Sequence, residues 1–422
     1  MDPILTVHYL GSGSKFIPRG FRRMAKLRHE STEPGEEPGP AQPRGVHEVL
    51  GGLTVDADGV PIRLPVSEWL DRAGRPEGPD PLDAGWLRAT LRFSRPDGSP
   101  VFGPRRRSPA RLKALEEWSG RVGDPSLATV IGWWLPRSYR ATAGPPAPPP
   151  LPADARPDRP LAVLRPDWTS RGDLVAIDHR EPGLRSLVEV ASKGQTWLGP
   201  AWDSTGTGGK SGRALPIHWS SGAFADGFEW SFGVGRGRST RVAVLLRGRG
   251  MALLGQQDDG VGPVTEVRLA LPDGIEAFPA EGSRSLLLSA GRGKPTARLI
   301  PLGLPTHAYP TDRGSIAVEG REVVVRQTGE GRRRWVPLLV AWEKPPTLWR
   351  PLTVASESKA CGPDVAAAAR VAWGPGDEGL VVYRSLASPE LRNFLGHQTA
   401  ARFLVGSFTR SGDIRPILKI DG

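Results

Sequence analysis

Leu161-Ala162-Val163-Leu164, Leu174-Val175-Ala176-Ile177 and Ser186-Leu187-Val188-Glu189-Val190 open a stretch in which short apolar runs alternate with Gly, Pro and Asp-Gly punctuation as far as Ile420. Such runs have the length and the Val, Ile and Leu content of strands, and they are too short for core helices. They recur at Arg241–Leu246, Val264–Leu269, Ser285–Leu288, Ile316–Val318, Glu322–Arg326, Val336–Trp342, Leu380–Arg384, Ala401–Phe408 and Arg415–Ile420. Twelve short strands with turn residues between them predict a sandwich or barrel and not a helix-crossover fold. The expectation is a mostly β protein: a large, supersandwich-like antiparallel β-sandwich over 161–422, with a smaller mixed region before it. The one helical candidate here is the alanine run in Asp364–Arg370.

Upstream, Ala141–Pro160 centres on Gly144-Pro145-Pro146-Ala147-Pro148-Pro149-Pro150, a composition that favours an extended spacer. The main boundary is placed there, with 141–160 as linker. Residues 46–140 are expected to form a small β-rich region with one helix. Leu53-Thr54-Val55 and Val60-Pro61-Ile62 flank Asp56-Ala57-Asp58-Gly59, which predicts a hairpin. The alternation of Leu87, Ala89, Leu91 and Phe93 before Pro96-Asp97-Gly98 predicts another. Ser108 as cap, Pro109 at the first position and Gly120 past the end predict a helix from Pro109 to Trp118. Residues 1–45, with a basic patch (Arg19, Arg22, Arg23, Lys26, Arg28) and then an acidic, Pro-rich run, hold too little apolar surface to order and are read as mobile.

Gly (53) and Pro (44) make up almost a quarter of the 422 residues, which suits short strands and many turns. The net charge of +11 raises the question of a nucleic-acid partner. Of the 56 basic residues only nine are Lys, however, and an Arg excess beside abundant Ala, Gly and Pro is what a GC-rich genome produces; composition argues against nucleic acid. One cysteine, Cys361, excludes an internal disulfide framework and a cysteine-clustered zinc site. The seven histidines include no i, i+4 pair, and no cofactor is expected. No secretory signal and no membrane span is legible, so the expectation is a soluble chain, cytoplasmic by default.

Motifs for phosphate or dinucleotide chemistry fall short. Ser204-Thr205-Gly206-Thr207-Gly208-Gly209-Lys210-Ser211 is near a P-loop, but Ser204 stands for its first Gly, and Gly212 and Pro216 occupy the place of a helix. Gly233-Val234-Gly235-Arg236-Gly237-Arg238 lacks dinucleotide spacing and reads as a turn between strands. Among the 14 tryptophans, Trp197 and Trp202 beside the Gly-rich loop are the ones expected as exposed platforms for sugar rings. Arg332-Arg333-Arg334, read as part of a strand connection, offers forked donors for carboxylates or sulfates.

The run Leu161-Ala162-Val163-Leu164-Arg165-Pro166-Asp167-Trp168, followed by Asp173-Leu174-Val175-Ala176-Ile177-Asp178-His179, resembles the entry to the β-sandwich of heparinase II/III-like polysaccharide lyases. Ser186–Val190 and Gly194-Gln195-Thr196-Trp197-Leu198 sit where the next strands of that sandwich would be. Tyr383–Leu386, Leu395–Thr399 and Phe403–Gly406 look like a late strand pair. The resemblance implies a sandwich that acts beside a large α/α toroid on acidic polysaccharide. Two departures stand out. Only 160 residues with one clear helix precede the sandwich, and His179-Arg180-Glu181-Pro182-Gly183-Leu184-Arg185 replaces the family's His-x-His-x-Asp stretch. β-Elimination needs a carboxylate neutraliser, a base and an acid; the residues assign none of the three roles, His179, His218, His307 and Tyr309 are candidates by type alone, and a lone His in a β-protein is more often structural. The expectation is a heparinase-like sandwich without lyase activity that serves as a glycan-binding or structural module for an acidic polysaccharide. The alternatives are an active lyase with an unrecognised site, a basic polyanion or nucleic-acid binder, and a scaffold for a protein partner.

Overall fold

The computed structural model describes residues 160–421 apart from 170–171, 180–184, 206–211, 235–236, 261–263, 310–312, 330, 375–377 and 410–411; upstream it describes 47–49, 53–55, 61–62, 87–88, 91–99, 101–102, 116, 119–120, 123–134, 149 and 151–155. The mobile segment expected at 1–45, the turn Asp56–Gly59, nearly all of the helix expected at 109–118 and most of the Pro-rich linker lie outside these residues. The chain divides into two compact units, 1–94 with 98–148, and 95–97 with 149–422.

In the first unit, Leu53–Val55 pairs antiparallel with Pro61–Ile62 as the hairpin reading required, and His47–Val49 adds a third strand. The second hairpin is corrected: Leu87, Arg88, Leu91 and Arg92 are helical, and Ser94 N–H donates to Leu91 O at a helix end. Leu87 and Leu91 are both fully buried, so their four-residue spacing marks one helix face and outweighs the period-two pattern. A further helix, Pro125–Trp134, has Asp124 as its cap: the Asp124 carboxylate accepts from Ser126 N–H at 2.9 Å, and Leu127, Val130, Ile131 and Trp134 form its buried face.

The second unit is a stack of antiparallel sheets. Its centre is an eight-stranded sheet in the order Leu215–Ser221, Ala225–Val234, Gly237–Leu246, Met251–Asp259, Arg333–Ala341, Thr296–Pro301, Leu286–Ser289, Glu276–Pro279. Both faces of its middle strands are covered. Ala243, Leu245, Ala252, Leu254, Val336, Leu338 and Val340 point into one core, and Val242, Val244, Met251, Leu253, Leu339 and Ala341 into another. A strand buried on both faces needs apolar side chains at consecutive positions, which is why these runs are continuous and not alternating.

The first core is closed by a nine-stranded sheet whose path runs Gly314–Glu319, Glu322–Thr328, Val264–Ala270, Ala201–Thr205, Ser186–Ser192, Leu174–Asp178, Leu161–Leu164, Asp154–Ala155, with Gln195–Leu198 paired to Ser186–Ser192. This outer sheet alternates where it meets solvent. Thr265, Val267 and Leu269 are buried, while Glu266 and Arg268 join Arg326, Glu319 and Glu322 in a surface ion-pair ladder. The second core is closed by five strands, Leu348–Leu352, Ala366–Ala372, Gly379–Ser385, Phe403–Phe408 and Ile414–Ile420. A four-stranded sheet of short strands between Ala355 and Thr399 accompanies a third core on the far side of those five. Residues 95–97 cluster with this unit, where Arg95 makes a buried two-pronged ion pair with Glu189 at 2.6 Å.

All twelve strand expectations hold. The helix expected at Asp364–Arg370 does not: Ala366–Ala372 is a strand between Leu348–Leu352 and Gly379–Ser385. Alanine's helix preference is worth under about 1 kcal/mol per residue, and two ladders of backbone hydrogen bonds with burial on both faces override it. Gly255, in the middle of Met251–Asp259, marks a close approach, because an added Cβ would stand 1.9 Å from the Trp335 ring of the next strand. Gly255→Ala is expected to cost about 1–3 kcal/mol by overpacking, to be read from urea unfolding.

Candidate functional site

The residues singled out in the sequence separate into interior and surface. Trp197 and Trp202 are completely buried in the first core, so the reading as exposed platforms is corrected. Each projects from a strand of the nine-stranded sheet into the core beneath it, which hides the indole faces that a sugar would need. Trp202 instead meets Trp230 edge-on at 5.6 Å and lies under the Arg241 guanidinium at 4.7 Å.

His179 is likewise interior. Its Nδ1 accepts from Trp230 Nε1 at 3.2 Å and lies 2.5 Å from Ser186 Oγ. An indole N–H can only donate, so Nδ1 carries no proton and the Ser186 hydroxyl donates to it. Ser186 Oγ and Trp202 O in turn accept from Arg241, whose Nε donates to Gln256 Oε1 at 3.0 Å, and Gln256 Nε2 donates to Asp258. Burial lowers the Arg241 guanidinium to about 9 against the opposing pull of Asp258 and Asp203, so it stays charged at neutral pH. With His179 2% and Ser186 0% exposed, this serine–histidine pair is interior, and through Trp230 and Arg241 it ties the two large sheets together.

His218 lies directly across from Glu229 on the neighbouring strand. Glu229 is buried between Arg384 at 2.7 Å and Arg402 at 2.5 Å, both from the five-stranded sheet region. Among the described residues the buried His218 Nε2 has no hydrogen-bond partner. Burial lowers the His218 pKa below 6.5, opposed by Glu229 and assisted by Arg402. A histidine that stays neutral in the fold and titrates normally when unfolded leaves the unfolded state holding more protons below 6.5. Stability should therefore decline as pH falls from 6.5 towards the lower folded value, and His218→Gln should remove that part of the slope, measured by urea unfolding on either side of 6.5.

His307 and Tyr309 are brought together on the surface. They line a cleft of about 400 Å³ with Thr306, Trp349, Arg350 and Arg370. The cleft exists because Leu348–Leu352 is an edge strand, and the edge is capped by a side chain. Thr306 Oγ1 donates to Trp349 O at 2.6 Å and accepts from Trp349 N–H at 2.8 Å, which seats the 305–309 segment beside the strand. Arg350 and Arg370 are directly opposed in the register of Leu348–Leu352 with Ala366–Ala372. Like charges at that position repel. Among the described residues neither arginine makes an ion pair, and no acidic side chain lines the cleft. Arg370 is partly buried and stacked 4.1 Å over Phe408, and its buried Nε has no hydrogen-bond partner among the described residues. Burial and the Arg350 charge both lower its pKa. Two opposed cations bring to this cleft the positive charge and the hydrogen-bond donors that binding of an anion requires.

Arg332, Arg333 and Arg334 do not form one patch. The triplet leads into the central strand Arg333–Ala341, a correction to the loop placement, with Arg332 exposed, Arg333 half-buried and Arg334 buried. Arg334 Nη2 donates to Gly329 O at 2.6 Å, holding the turn before the strand. Arg333 and Arg334 line a second cleft, of about 330 Å³, with Arg313, Gln327 and Thr328. It lies at the end of the pairing of Thr296–Pro301 with Arg333–Ala341, where Leu302 N–H still donates to Pro337 O at 2.9 Å but Pro337 has no N–H to return a bond.

The Ser204–Ser211 stretch begins as the strand Ala201–Thr205, and its glycines lie outside the described residues; Gly233-Val234 and Gly237-Arg238 are the paired ends of two antiparallel strands, and Gly235-Arg236, where the turn was expected, also lie outside the described residues. Among the described residues no group of three or more His, Cys, Asp or Glu could hold a metal ion, and no helix is long and apolar enough to cross a membrane.

Fold and clefts define the class: a stack of antiparallel β-sheets with two arginine-lined clefts along one strand pair. The fold is heparinase-like. The crystal structure of the heparan sulfate lyase HepC from Pedobacter heparinus is similar with a TM-score of 0.52 at 11% identity, over 68% of this chain and 50% of that one. Two structures of a heparinase III, one with methylated lysines, give a TM-score of 0.49 at 9% and 10% identity, over 81% of this chain and 52% and 53% of theirs. The chain thus spans about half the length of these proteins. No protein-family model matches the sequence, and no curated protein matches it.

Proposed function

We propose that this chain is a non-catalytic module that binds an acidic polysaccharide, with the Arg350–Arg370 cleft as its anion site. The observation that carries the reading is the cross-strand arginine pair, opposed in register, lacking a carboxylate partner among the described residues and flanked by Trp349, His307 and Tyr309. A sulfate or carboxylate between the two guanidinium groups turns a repulsion into charge-assisted hydrogen bonds. The heparinase-like fold and the act of HepC on heparan sulfate agree with an acidic polymer.

The purified chain, passed over acidic and neutral polysaccharides at low and moderate salt, should be retained on sulfated or uronate polymers and pass through neutral ones. Retention on every polyanion alike, abolished by moderate salt, would instead indicate a nonspecific basic surface. The second reading is catalysis, favoured by the meeting of His307, Tyr309 and two arginines in one cleft. Growth of unsaturated-uronate absorbance on incubation with the polymer would establish it and overturn the non-catalytic reading.

A further inference from the structure

The two clefts lie along the same pair of strands. The first takes Leu348, Trp349, Arg350, Arg370 and Ala372; the second continues along both strands with Pro351, Leu352 and Ala366–Ala369. One connecting segment serves both, Leu302 and Gly303 at the second and Pro305–Tyr309 at the first. Arg350 of the first lining is followed directly by Pro351 of the second, so the two clefts adjoin along the strand. Like the first, the second has arginines in its lining and no acidic side chain among the described residues. Arg313 is fixed beside it by its carbonyl, which accepts from Thr328 N–H at 2.9 Å, and Arg333 meets the Asp259 carboxylate only at 4.0 Å.

We infer that the second cleft binds a further anionic group of the same polymer, so that the module reads an acidic chain longer than a disaccharide. The inference rests on the acidic-glycan reading of the first cleft. Arg313 and Arg333 supply the charge, and Gln327 and Thr328 supply neutral donors and acceptors for hydroxyls. Prolines 337, 351 and 363 give an apolar wall for sugar-ring faces. Two linked groups bind as one ligand, with the second contact made at high local concentration.

The test is equilibrium titration of the full chain with a sulfated disaccharide and with a size-fractionated longer oligosaccharide of the same composition. The longer ligand is expected to bind about tenfold or more tighter. Arg313→Ala with Arg333→Ala should lower affinity for the longer ligand by about tenfold and leave the disaccharide unaffected. An unchanged unfolding midpoint will show that the fold is intact. Equal affinity for the two lengths, or a variant that loses both ligands alike or neither, overturns the inference and leaves the first cleft standing. No binding of either ligand to the unmodified chain overturns the acidic-glycan reading and this inference together.

Discussion

Arg241→Ala is expected to lower the unfolding free energy by about 3–5 kcal/mol, the range for removing one partner of a buried charge cluster. Arg241 is fully buried and bridges the two large sheets. It donates to Ser186 and to Trp202 O on one side and to Gln256 on the other, and its charge opposes the burial of Asp258. Its loss leaves Asp258 with hydrogen bonds from Ser239 and Gln256 but no cation, and takes the donor from Ser186 and from the Trp202 carbonyl. The penalty should depend on pH in a stated direction. Burial already raises the Asp258 pKa above 3.8 in the folded protein. The folded state therefore holds more protons than the unfolded state over that window, and stability from this group falls as pH rises through its folded pKa. Removing Arg241 raises that pKa further, so the penalty is larger at neutral pH than in acid. Urea unfolding of both proteins across pH measures this; a loss under about 1 kcal/mol would show that the network is not what joins the sheets.

Arg350→Ala combined with Arg370→Ala should weaken binding of an acidic polysaccharide on the order of 100-fold, about 2.8 kcal/mol, since each arginine contributes a charge-assisted contact. An opposite sign is expected for stability of the free chain. The two guanidinium groups are directly opposed on adjacent strands, so Arg350→Gln alone should raise stability by a few tenths of a kcal/mol, about the size of a cross-strand like-charge term. A residue kept for folding would behave the other way. Added anion should stabilise the unmodified chain through mass action and leave the double variant unmoved.

Much of the architecture was legible because the middle strands are apolar on both faces, and Val336–Trp342 or Arg241–Leu246 can be little else. What escaped was strand with mixed chemistry. Ala225–Val234 carries Asp226, Gly227, Glu229 and Gly233, and Thr296–Pro301 ends in proline, so neither shows a pattern until its neighbours are known. The site was legible in part. His307 and Tyr309 stood out by type, but the Arg350–Arg370 pair depends on the register of two strands, one of which looked helical through its alanines. Trp197 and Trp202 misled for a related reason. An indole beside a Gly-rich stretch says nothing about which sheet will cover it, and here both are covered completely.

The most direct measurement is a calorimetric titration of one acidic polysaccharide, and of a neutral polymer of matched length, into the unmodified chain and the Arg350→Ala, Arg370→Ala variant at moderate salt. Saturable binding of the acidic polymer alone, lost in the variant, is the result predicted. Equal binding by both proteins, or equal binding of both polymers, would contradict an anion site at this arginine pair.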